Sequence, residues 1–243
     1  MMELAPLAWG MLAVAALIAG LGKTAVPGAA TISVVLLAAV LPARTSTAAM
    51  LLLFMVGDVF ALIAYRRHAH WPTLLRLAPA VIVGLLAGFL FLMVAGDTTV
   101  RRAIGVILLL MIAVTLWRRR RAAGKPAGPL LGLSYGGLAG FTTMVANSGG
   151  PVMSMYFLAT RTPVQVFLGT SAWFFAIVNA MKVPFLAGLG LFTPQVLLMD
   201  LVLAPLVVAG ALAGIALAKR MPQQLFDRIV IVLTVLGAVY LLF

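Results

Sequence analysis

Cysteine is absent from this 243-residue chain, which excludes disulfides and thiolate chemistry. Acidic residues are nearly absent: Glu3, Asp58, Asp97, Asp200 and Asp227 are the five, and no two share a helical turn. That scatter leaves no paired carboxylates for acid–base or metal work. The two histidines, His68 and His70, stand beside Trp71 between apolar runs and read as interface residues, not metal ligands. Charge of either sign is scarce, at 9% of residues against the ~25% usual in soluble domains. With 64% hydrophobic residues, too little polar surface remains to coat a globule, so the solvent of this chain is lipid. The apolar runs lack the alternation of a transmembrane barrel, and an open sheet cannot satisfy its backbone in a bilayer. The start lacks the basic region and small-residue cleavage site of a secretory signal, so the first apolar segment is expected to be a retained helix.

What the chain does have is basic charge, 17 Lys and Arg for a net +12. These residues fall in short clusters between apolar runs: Arg66-Arg67, Arg118 to Arg121, Lys219-Arg220. Clusters of this kind follow the positive-inside rule. No basic face on a soluble domain is present, which argues against nucleic acid. No cofactor motif is found either. GLGKT (20–24) contains G-K-T, but a phosphate-binding loop needs a glycine where Leu17 stands.

A helix needs about 20 apolar residues to cross a bilayer. Uninterrupted spans are expected at 45–65, 73–95, 100–117, 164–187, 194–218 and 224–243. Two further apolar regions are broken: 4–42 at Gly22 to Gly28, and 129–160 at Asn147-Ser148-Gly149-Gly150-Pro151. The expected fold is an all-α polytopic membrane protein of 8–10 helical segments, with partial, tilted or re-entrant helices at the breaks.

The order of features repeats. Each half has a break near its start, continues through an arginine before a long helix (Arg44, Arg161), and adds two further spans. GLLAGFLF (84–91) and GALAGIAL (210–217) match at corresponding depths. This predicts a first repeat over 1–117, a basic cytoplasmic linker over 118–128 and a second repeat over 129–243. Five segments per half would invert the second repeat. With both termini outside, 13 basic residues lie on the cytoplasmic side, three outside and one, Lys182, within a span. Inverted repeats with broken helices are typical of secondary transporters.

The two breaks, with RTPVQVFLGTSAWFFAIVNAMK (161–182) and RTSTAAMLLLFMVGDVFALIAYRRH (44–68), resemble the sulfite exporter TauE/SafE family of anion transporters along nearly the whole chain. The second half keeps Gly149-Gly150-Pro151, where the family has a glycine-rich run; the first reads Gly22-Lys23-Thr24-Ala25-Val26-Pro27-Gly28. The resemblance implies export of sulfite, organosulfonates or other small sulfur-containing anions across the bacterial inner membrane, driven by an ion gradient.

The residues at the breaks suggest how an anion is held. Asn147, Ser148, Gly149 and Gly150 offer caps or hydrogen bonds, with glycine geometry that exposes backbone. Lys182, Asn179, Ser171 and Thr170 lie on the long helix that follows. Asn179 and Lys182 are at i, i+3, on one face. From the first break come Lys23, Thr24 and Gly28. Lys23 reads equally as a substrate cation or as a lysine snorkelling to the cytoplasmic interface. The hydroxyls of Thr142, Thr143, Thr170 and Ser171 either contribute to the site or bond their own helix. Asp58, mid-span, is a protonatable coupling group or the structural partner of a lysine such as Lys182. Asp200 reads as an interface residue. Arg44 and Arg161 fix helix starts or meet the phosphates of membrane lipid. Substrate is expected near the midplane, with alternating access and with a proton or cation as the coupled partner. The alternatives are an intramembrane enzyme acting on lipid phosphates, or an anion channel.

Overall fold

The structure, a computed structural model, describes residues 5–26, 29–94 and 129–222, with isolated positions 99, 106, 224–226, 228–229 and 231–232. Pro27-Gly28, the 118–128 linker, Arg101 and Arg102, and nearly all of the spans expected at 100–117 and 224–243 lie outside the described residues.

Among the described residues there is helix and no strand. The helices are α1 (Pro6–Thr24), α2 (Ala30–Val40), α3 (Ala43–Tyr65), α4 (Trp71–Val94), α5 (Pro129–Ala146), α6 (Gly149–Ala159), α7 (Val164–Gly188) and α8 (Pro194–Ala218). A 3-10 turn, Arg66–His68, follows α3. Five helices are long and apolar enough to cross a membrane: α1, α3 with its turn, α4, α7 and α8. The chain is a multi-pass membrane protein.

Both broken regions resolve into a longer helix followed by a short one. α2 and α6 each have 11 residues. At 1.5 Å per residue that is about 16 Å, roughly half the hydrocarbon core. α6 is buried along almost its whole length, from Gly149 to Leu158. A short helix at membrane depth exposes unpaired end groups, so it must be enclosed by protein. α2 packs on α1 and α3, α6 packs on α5, and the two short helices touch each other.

The long helices pair reciprocally. α1 packs along α8, α4 along α5, and α3 against α7. Small residues set the first two contacts. A methyl on Gly84 would overlap the Gly137 carbonyl, and one on Gly210 would overlap the Leu17 carbonyl. Backbones this close gain dispersion contacts that lipid cannot replace. Gly84 and Gly210 are the matching first glycines of the two repeated octapeptides.

Candidate functional site

Both breaks end on the same region of the interior. At the second, α5 closes with Ser148 N–H donating to Thr142 O at 3.1 Å and Asn147 N–H to Thr143 O at 3.0 Å. Asn147 takes φ 53°. This is the left-handed position that commonly ends helices, and asparagine tolerates it better than most residues. The special backbone geometry expected of Gly149-Gly150 therefore belongs to Asn147. Gly149 is small for another reason: a Cβ there would come within 2.8 Å of Thr143 Cβ and 3.0 Å of Ala139 O.

The turn aims the Asn147 side chain inward. Its Nδ2 donates to Thr47 O on α3 at 3.1 Å. Its Oδ1 accepts from Lys182 Nζ on α7. Lys182 is fully buried, so it is not an interface anchor.

At the first break, Lys23 does not snorkel to water. It forms an ion pair with Asp58 Oδ1 at 2.7 Å, and the two side chains are 6% and 4% exposed. The reason lies in the neighbours. Gly57 leaves the space that the Lys23 stem occupies, since a Cβ there would stand 2.9 Å from Lys23 Cγ. The ammonium then lies 4.6 Å from the Phe54 ring centroid and 4.7 Å from that of Phe175. Desolvated cation–π contacts reach about 2 kcal/mol each. The partner of Asp58 is thus Lys23, not Lys182. Asn179 Nδ2 donates to the other carboxylate oxygen, Oδ2, at 2.6 Å.

Lys23, Asp58, Asn147, Gly150, Ser171 and Asn179 line one cavity, closed off by Phe54, Phe175, Gly22, Ala30, Thr143 and Ala172. Lys182 joins it through Asn147. Ser171 Oγ is buried with no hydrogen-bond partner among the described residues. The arrangement offers two cations, one carboxylate, two amides and a spare hydroxyl. It suits an oxyanion, which needs several donors and positive charge.

Other residues expected at the site are used elsewhere. Thr24 Oγ1 donates to Gly20 O at 3.1 Å and lies 2.9 Å from Ala211 O, tying α1 to α8. Thr170 Oγ1 accepts from His70 N–H at 2.9 Å, fastening the loop after α3. Ser148 Oγ donates to Ala146 O at 3.1 Å and caps no amide of α6. Gly28 lies outside the described residues. Asp200 is buried, not a solvated interface residue, and its carboxylate oxygens have no hydrogen-bond partner among the described residues. Arg161 ends α6 in a left-handed conformation, φ 52°.

Phe54 and Phe175 are the residues that sequence reasoning missed. The signal was present: F-M-V-G-D (54–58) and F-A-I-V-N (175–179) share an aromatic four residues before an acid or amide. That spacing puts both side chains on one helix face.

A sequence model of the sulfite exporter TauE/SafE family matches residues 12–241. No curated protein and no solved structure matches the chain.

Proposed function

This chain belongs to the sulfite exporter TauE/SafE family, and from that premise we propose that it exports small sulfur-containing oxyanions, such as sulfite or organosulfonates, from a bacterial cytoplasm by alternating access. The family makes it a membrane transporter of sulfite or related anions, and not an enzyme. The lipid-phosphate enzyme reading falls with that assignment.

The observation that carries the proposal is a pair of buried lysines at one polar cavity: Lys23, at the first break, lines it, and Lys182, on α7, meets it through Asn147 at the second. Buried cations are costly unless something negative meets them. One has Asp58; among the described residues the other has only the Asn147 amide. Substrate is held by Lys182, Asn147, Ser171 and Asn179, with Lys23 available when Asp58 lets go. Asp58 is the coupling group: a proton on its carboxylate releases Lys23 to the anion. Reciprocal packing of α1 on α8 and α4 on α5 supports an inverted repeat, with the site between the halves.

Thermal shift of the purified protein against sulfite, sulfoacetate, thiosulfate, other sulfonates and simple carboxylates tests the substrate class. Sulfur oxyanions are expected to stabilise; stabilisation by carboxylates alone would overturn the reading. In proteoliposomes, saturable and gradient-dependent flux is expected, whereas non-saturating flux would mark a channel. Asp58→Asn is expected to abolish the pH dependence of transport. If pH dependence survives, Asp58 is not the coupling group.

A further inference from the structure

We infer that the cavity takes up one net negative charge per substrate: a monoanion enters alone, and a dianion enters only with a proton on Asp58. This rests on the transport site proposed above and adds a rule for the substrates it accepts.

The argument is a count of buried charge. Three ionisable side chains meet at the cavity: Lys23, Asp58 and Lys182. Asp58 is faced from α1 by Lys23 and from α7 by Asn179 and Lys182. α2 has no titratable residue. α8 has Asp200, and Lys219 at its C-terminal cap, neither of which lines the cavity. Lys23 and Asp58 cancel. Lys182 is left with the neutral Asn147 Oδ1, and no carboxylate pairs with it among the described residues. In a low-dielectric interior an unpaired ammonium is unstable, so one negative charge is what the empty site lacks.

A monoanion supplies that charge and leaves the Lys23–Asp58 pair intact. A dianion brings one charge too many. The excess is removed if the Asp58 carboxylate binds a proton from solution, which frees the Lys23 ammonium to meet the second anionic oxygen. Dianion plus proton then equals monoanion in charge. Proton coupling is therefore set by the valence of the substrate. Hydrogensulfite alone and sulfite with a proton are equivalent loads.

Calorimetric titration of the wild-type protein with methanesulfonate, a monoanion, and thiosulfate, a dianion, between about pH 6 and pH 8.5 tests the rule. Thiosulfate Kd is expected to weaken about tenfold more per pH unit than methanesulfonate Kd, the difference in slope for one linked proton. Asp58→Asn is expected to flatten the thiosulfate profile and raise its affinity relative to methanesulfonate. Equal pH slopes for the two anions in the wild type would overturn the charge rule while leaving the transport site standing. Failure of both anions to bind at every pH would overturn the site and the rule together. The wild-type pair decides the matter even if the variant does not fold.

Discussion

Phe54 and Asp58 on α3 stand opposite Phe175 and Asn179 on α7, at the same four-residue spacing. The two phenylalanines flank one ammonium, and the acid and amide bond each other at 2.6 Å. The two helices therefore agree in where they put aromatic and polar groups and differ in which polar group it is. The physical reason is that the two helices face each other. Where two similar helices face each other, matching positions meet, and identical groups would set like against like. Two ionised carboxylates at that distance repel; a carboxylate and an amide form a hydrogen bond. The α4–α5 and α1–α8 contacts, in turn, use the same chemistry, Gly84 on Gly137 and Gly210 on Leu17. The likeness of the two helices ends where two like charges would meet.

The largest effect is expected from stranding one half's charge. Lys23→Met leaves Asp58 buried without its cation, a change of about 3–5 kcal/mol for a broken buried pair. The double variant Lys23→Met/Asp58→Asn should recover most of that stability while remaining inactive. Thermal unfolding in detergent, read beside a flux assay, tests both. A double variant no more stable than the single would mean that the pair is not an isolated charge couple.

Next in size are the matched glycines. Gly84→Ala and Gly210→Ala should each destabilise by about 1–3 kcal/mol through overpacking, with closely similar shifts in Tm. A loss at one position and none at the other would break the equivalence of the α4–α5 and α1–α8 contacts.

How much of this was legible in the sequence follows from the same comparison. Hydropathy located both broken regions and every described long helix to within a few residues, because 20-residue apolar runs are governed by bilayer thickness. The composition of the site was legible at Asn147, Ser171, Asn179 and Lys182, where polar groups interrupt apolar helix. For Lys23 the sequence left a substrate cation and a snorkelling lysine equally open. Its burial depends on Gly57 of another helix, a contact that local pattern does not encode. Thr170 and Thr24 were polar residues at membrane depth, yet helix joints use them. Nothing local distinguishes a hydroxyl that bonds a neighbouring helix from one that faces a cavity.

Asn147 separates backbone from side-chain roles at the second break. Asn147→Gly keeps the left-handed turn and removes the amide that links Lys182 to Thr47. Asn147→Ala removes both. The alanine variant should be less stable than the glycine variant by about 1 kcal/mol, the cost of a left-handed conformation for a side chain with a Cβ. Both should lose anion binding by thermal shift. Equal stability of the two would mean that the turn relaxes and the φ of Asn147 is not required.

The smallest structural effect, and the sharpest use of the comparison, is expected from exchanging the acid across the interface. Asp58→Asn/Asn179→Asp moves the carboxylate from α3 to α7 while conserving every atom count and the net charge. Asp58 and Asn179 already touch, and Lys23 lies between Phe54 and Phe175, close to both helices. An acid at 179 thus stays near its lysine, and the exchange should cost about 1 kcal/mol or less in stability. It also stands one helical turn before Lys182 on the same face. The new carboxylate should therefore compete for Lys182, the cation proposed to hold the substrate. The expected result is a folded protein with Tm within a few degrees of wild type and anion affinity at least tenfold weaker. If affinity is unchanged, the site reads only total charge, and the side on which the acid is held does not matter.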